Sequence, residues 1–166
     1  MQLTIRLPHP LAALIRRLCA PATARPLQMA PAPDFMLRRS NPPGLWTSPR
    51  LTQMVEVQGA RMIYLSGQTP ADENYKVRGT DIRAQANAVY DNIEIALKAA
   101  GAGWDNVVKT TTYLVDARLI SDFREARMAR FRHLKATPAN TLLVVSRLAE
   151  PEFLIEIDVV AAVPPA

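Results

Sequence analysis

Two carboxylates, Glu156 and Asp158, stand inside the apolar run LIEIDVV at 154–160. A strand alternates its faces, so Phe153, Ile155, Ile157 and Val159 point one way while Leu154, Glu156 and Asp158 point the other. On pattern alone the plain account is a half-solvated sheet, with core on one side and water on the other. The chemical account is a carboxylate on a strand rim that orients or deprotonates a water molecule. Other chemistry is thinly represented. His9 and His133 are the two histidines, and neither falls in a metal-ligand or catalytic-triad spacing. SGQ at 66–68 matches no P-loop, dinucleotide fingerprint or nucleophile elbow, so no nucleotide cofactor is signalled. Cys19 is the single cysteine. It excludes an intrachain disulfide framework and a cysteine metal site, and makes a reducing compartment the default.

The net charge of +5 suggests a polyanion partner until the charges are located. Residues 1–40 carry six arginines against Asp34 alone, and residues 41–166 hold as many acidic as basic side chains. The globular part is neutral, which speaks against nucleic-acid binding. One basic stretch remains, with Arg124, Arg127, Arg130 and Arg132 beside Asp122 and Glu125. No aromatic platform accompanies it, and a solvated helix face with local ion pairs explains the same residues.

These side chains need a scaffold, and 166 residues at 49% hydrophobic suffice for one domain with a sizeable core. Residues 1–43 are rich in Pro, Ala and Arg. They read as an arm outside the fold, either disordered or ahead of a true start at Met29 or Met36, with a transit peptide as the other possibility. Pro42, Pro43 and Gly44 mark a turn, and residues 44–166 form the domain. No run approaches a transmembrane length, LAALI at 11–15 is too short for a secretory segment, and a cytoplasmic location is expected. An organellar one is the alternative if residues 1–40 are a transit peptide.

QMVEVQGARMIYLSGQ predicts a hairpin around Gln58-Gly59-Ala60. Thr80 or Asp81 then caps a helix whose apolar residues, from Ile82 to Ala100, recur every three or four positions until Gly101 ends it. VVKTTTYLVD, 107–116, is a β-branched strand. Ser121 or Asp122 opens a second helix, with Phe123, Ala126, Phe131 and Leu134 inward, that runs toward Pro138. Strands at 141–148 and 153–163 close the chain. The order is ββαβαββ, an α+β fold in which a mixed sheet carries two helices on one face.

YLSGQTP, the long helix with its following strand DIRAQANAVYDNIEIALKAAGAGWDNVVKTTTYLVD, and the ending ATPANTLLVVSRLAEPEFLIEIDVVA together resemble the RidA family, also called the YjgF or L-PSP endoribonuclease family, over residues 51–163. The resemblance implies a chorismate-mutase-like fold assembled as a homotrimer, with clefts between subunits, and hydrolysis of 2-imino or enamino acids without a cofactor; the histidine and cysteine spacings already signal no metal. It implies that Glu156 positions the water and that Ser66, Gly67 and Gln68 help hold the substrate. The chain departs from the family pattern where an arginine would fork the substrate carboxylate, since Asn140 stands there, followed by Thr141. Leu142 and Leu51 replace a cysteine and a tyrosine, and Arg127 falls near a helix position that is commonly Asn. Ligand contacts are expected at Arg127, Asn140 and Thr141. The expected function is hydrolysis of an imine, enamine or related C–N bond. A non-catalytic trimer that binds metabolites or partner proteins is the alternative, and ribonuclease activity ranks last.

Overall fold

The computed structural model describes residues 33–48 and 51–165. Most of the expected arm lies outside that range, but its last residues depart from the expectation: Met36–Ser40 form strand β1. β1 pairs antiparallel with β2, Met54–Gln58, from Met36 opposite Gln58 to Ser40 opposite Met54. The two arginines of β1 secure it. Arg38 Nε donates to Glu56 at 2.6 Å, and Arg39 donates to the carbonyls of Asp105 and Val107 at 2.7 and 3.0 Å.

The expected hairpin is also corrected. β3, Arg61–Gln68, does not join β2 but lies in a separate four-stranded sheet. Its other members are β4 (Val107–Leu114), β5 (Ala139–Val144) and β6 (Ile155–Val163), in the order β3-β6-β4-β5. The turn between β2 and β3 explains why. Gly59 takes φ +58°, and a Cβ there would lie 2.1 Å from the Pro33 carbonyl oxygen, so the chain entering β1 runs against the turn and claims the edge of β2. β3 instead pairs antiparallel with β6, and β4 lies antiparallel to β6 but parallel to β5. The sheet is mixed, as expected.

Two helices cover one face of it: α1, Ile82–Ala99, and α2, Ile120–Phe131. Asp81 caps α1, its Oδ1 accepting from the backbone N–H groups of Arg83 and Ala84 at 2.9 Å. No side chain caps α2. A 3-10 turn at Ala117–Leu119 leads into it, with Asp116 accepting from the Arg118 N–H at 2.8 Å. Asp122, expected as a cap, pairs with Arg83 of α1 instead. Arg130 likewise turns to α1, reaching Asp91 and Glu94.

β6 shows how the sequence pattern becomes a core. Ile155, Ile157, Val159 and Ala161 are buried against the helices, with Ile93, Leu97 and Phe123 in the same cluster. Each fully buried aliphatic side chain contributes about 1.5–3 kcal/mol. Tyr90, Trp104 and Phe131 stack around one another with centroids 5.0–5.8 Å apart. That aromatic cluster joins α1, the 3-10 turn Trp104–Asn106 and the end of α2.

Gln85 sits in this interior at 2% exposure. Its amide donates to the carbonyls of Glu152 and Gly79 at 2.8 and 3.2 Å, and its oxygen accepts from the Leu154 N–H at 2.8 Å. One side chain thus fixes the start of β6 to the first turns of α1. Gln85→Leu keeps the volume but strands three backbone groups, so it is expected to cost about 3 kcal/mol in urea unfolding. A loss below about 1 kcal/mol would mean that water reaches these groups and that the tie is dispensable.

Candidate functional site

The predicted site residues fall into two groups on opposite faces of the sheet. Glu156 and Asp158 lie on the face that the helices leave uncovered, because their neighbours Ile155, Ile157 and Val159 claim the core. The β3–β6 register shifts between Leu65 and Gln68, and this irregularity carries Ser66 and Gly67. Glu156 packs directly against the glycine: a Cβ on Gly67 would come 1.9 Å from Glu156 Oε1. The SGQ element and the carboxylate are therefore one structural unit. Gln68 folds back, its amide donating to the Ser66 carbonyl at 2.9 Å.

Burial, and after it the nearby Asp158 carboxylate, push the Glu156 carboxyl above the ordinary range. Asp158 itself accepts from the Tyr113 hydroxyl at 2.9 Å. The cross-strand register explains this contact, since Tyr113 stands opposite Glu156 and Thr111 opposite Asp158. Thr141 shares this face and accepts from Lys109 Nζ. Desolvation lowers the Lys109 pKa.

Tyr75 joins the group, and nothing in the sequence pattern singles it out. It adopts φ 60°, the one non-glycine residue with positive φ among those described. Its ring meets Phe153 edge-on at 5.9 Å. Partial desolvation raises the phenol pKa, followed by Glu150, to which it hydrogen-bonds, and by the charge of Glu156.

Asn140 and Arg127 belong to the other face. Thr110 and Thr112, both buried, donate to Asn140 Oδ1 at 2.8 and 3.4 Å. With its carbonyl taken, the group Asn140 offers a ligand is its amide N–H. It lines a cleft of about 330 Å³ together with Leu51, Phe123, Arg127, Met128 and Leu142. The guanidinium of Arg127 lies 5.2 Å from the centroid of Phe131, and desolvation lowers its pKa. It is turned inward, not one more cation on a solvated helix face. Trp46 and Arg124 complete the mouth of the cleft. Within one chain, then, Glu156 meets Gly67, and Arg127 and Asn140 line one cleft, but the sheet stands between the two pairs. Among the described residues no group of three His, Cys, Asp or Glu side chains is placed to hold a metal ion.

Residues 48–163 match the model of the family described as Endoribonuclease L-PSP. A RutC family protein of Saccharolobus solfataricus is 38% identical over 101 residues, covering 60% of this chain and 78% of that protein. A 2-iminobutanoate/2-iminopropanoate deaminase of Escherichia coli is 33% identical over 109 residues, covering 63% and 84%. The crystal structure of the Rid-family protein YyfB of Yersinia pestis superposes with a TM-score of 0.69 at 30% identity, over 76% of this chain and 98% of that one.

Proposed function

Since this chain belongs to the endoribonuclease L-PSP family, the RidA family, we propose that it hydrolyses the C=N bond of an imine or enamine-derived substrate, with Glu156 handling the water. The observation that carries this reading is the Glu156 carboxylate seated against Gly67, its pKa raised by burial and then by Asp158. An iminium carbon is already electrophilic, so placing a water and taking its proton is most of the work. The water oxygen bonds to the carbon while Glu156 accepts a water proton. The nitrogen takes up protons and departs as ammonia, leaving a carbonyl. Named relatives act as 2-iminobutanoate/2-iminopropanoate deaminases.

The working unit in this proposal is a homotrimer. Tyr64, at 74% exposure, and Leu143, at 41%, lie on the uncovered part of the molecule with Met62, an apolar surface that suits burial against other copies. Assembly would bring the Glu156 face of one copy to the Asn140 cleft of the next, completing a site that a single chain divides.

The test is release of 2-oxo acid from 2-iminobutanoate and larger imino acids generated in situ, with the native mass measured on the same sample. Turnover above background by a species of three chains is expected. No turnover with any imine would overturn the proposal and leave binding without chemistry, the reading that neutral Asn140 favours. Asn140→Arg is expected to raise kcat/KM for 2-iminobutanoate about tenfold, because a planar guanidinium forks a carboxylate that an amide cannot neutralise. Unchanged kcat/KM in that variant would show that the position does not face the substrate.

A further inference from the structure

Tyr75 occupies a conformation that tyrosine avoids, and the chain around it holds it there. At φ 60° a side chain crowds the following carbonyl, which is why glycine or asparagine usually fills such a position. The turn is closed from both ends. Ala71 and Val77 form an antiparallel bridge, the Asp72 N–H donates to the Lys76 carbonyl at 2.9 Å, and the Tyr75 N–H donates to the Asp72 carbonyl at 3.0 Å. Asp72 Oδ1 accepts in addition from the N–H groups of Asn74 and Lys76, each at 2.9 Å. Asn92 of α1 secures the base of the turn, donating to the carbonyls of Thr69 and Ala71 at 3.0 and 2.8 Å. Strain of this kind persists where its surroundings over-determine it, and it collects at functional sites. None of these hydrogen bonds uses the Tyr75 side chain, and glycine would make the turn at lower cost. What the strained backbone retains is therefore the ring.

The ring is directed to the Glu156 end of the sheet. Its edge-on contact with Phe153, at 5.9 Å, and the hydrogen bond of its phenol to Glu150 tie the turn to the segment that leads into β6. Phe153 precedes Glu156 by three residues, and Ala71 follows Gln68 of the SGQ element by three. Both members of the Glu156–Gly67 pair thus run within a few residues into the surroundings of Tyr75, and the charge of Glu156 acts on its phenol. With one edge on Phe153 and the hydroxyl on Glu150, Tyr75 is still 60% exposed. A fixed aromatic face beside a carboxylate that handles water is a surface on which an apolar substrate side chain packs.

We propose that Tyr75 is a specificity-determining residue of the Glu156 site, its ring forming the wall that receives an apolar side chain of the substrate. The inference deepens the hydrolase reading and rests on it only in placing the substrate at Glu156. Selection by side-chain size follows, without a part for Tyr75 in breaking the C=N bond. A branched four-carbon side chain reaches the ring, and a methyl group does not.

Binding of 2-oxo acids, the products of the proposed reaction, tests this without any need for turnover. The full-length chain is titrated by calorimetry with 4-methyl-2-oxopentanoate and with 2-oxopropanoate, which differ only in the side chain. The native protein is expected to bind the branched acid about tenfold or more tightly. Tyr75→Gly, which suits the left-handed backbone, is expected to cut that preference below about threefold by weakening the branched acid, with 2-oxopropanoate held within about twofold. Tyr75→Asn, also at home in that conformation, repeats the test should the first variant loosen the turn. Tyr75→Phe keeps the ring without the bond to Glu150 and is expected to retain the preference. Binding of neither acid, a native protein without preference, or an unchanged preference in both Tyr75→Gly and Tyr75→Asn would each overturn the proposal. So would an equal loss for both acids, the mark of a merely structural role, or a preference that disappears in Tyr75→Phe, which would assign it to the hydroxyl. The two readings fail separately. Side-chain preference without imine turnover sinks the hydrolase alone, and turnover without preference sinks the wall alone.

Discussion

Glu156→Gln is expected to lower kcat/KM for imine hydrolysis by roughly 10²–10⁴-fold, the usual worth of a positioned general base. Gln has the same shape and keeps the contact with Gly67, so loss of activity reports the proton acceptor and not the packing. The acid limb of the native pH profile carries a second signature. A carboxylate that takes a proton from water works only when ionised, and burial followed by Asp158 pushes this carboxyl up. The rate should therefore fall on acidification at a higher pH than an ordinary glutamate, with pKa about 4.3, would dictate. Stability moves the opposite way. With its folded pKa above its unfolded one, Glu156 contributes stability below the unfolded value, and that contribution is lost as pH rises through the folded value. Gln cannot ionise, so the variant should be slightly more stable than the native chain at neutral pH, with the difference vanishing in acid. A fall in activity below tenfold, measured with 2-oxo acid release, would remove Glu156 from the chemistry.

The second large effect is expected from a single methyl group. In Gly67→Ala the new Cβ would lie 1.9 Å from Glu156 Oε1 and 2.8 Å from its Cδ. Gly67 is not among the positive-φ glycines, so the backbone accommodates alanine and the strain falls on the carboxylate. The obstructing atom is the end of a flexible side chain, which swings away at a cost below about 1 kcal/mol in stability. Activity has no such escape. A displacement of an ångström or more in the general base is expected to lower kcat/KM about 10²-fold. Thermal melts and imine turnover on the same preparation separate the two. An active Gly67→Ala protein would mean that the Glu156 orientation seen here is not the working one.

Periodicity made much of the fold legible. The α1 helix with its Asp81 cap, the β-branched strand β4 and the alternation of β6 are local signals, each written in a few consecutive residues. The β2–β3 hairpin failed because it depended on a competitor elsewhere in the chain. β1 comes from a stretch rich in Pro and Arg that reads as an arm, and its claim on β2 rests on a close approach at Gly59 that no local pattern encodes. The cap of α2 failed for a related reason: Asp122 had a partner on another helix. Among candidate site residues, Glu156 and the SGQ element were visible through their motifs. Tyr75 was not, since a left-handed tyrosine in a turn has no sequence signature.

What the sequence by itself determined is which face of each element is apolar, which residue types stand where the family's chemistry is done, and that Asn140 interrupts that pattern. These are properties of spacing, and spacing is carried along the chain. Only the tertiary structure decided which side chains meet. Strand alternation sends adjacent residues to opposite faces, so Asn140 and Thr141 cannot share a site within one chain, whatever their nearness in sequence. Glu156 reaches Gly67 because β3 and β6 pair through an irregular register. Arg127, which the sequence offers as one of four helix arginines, lines a cleft because its guanidinium is held over Phe131. Contacts of that kind depend on the pairing of distant segments, and the free energy that selects them is shared across the whole core.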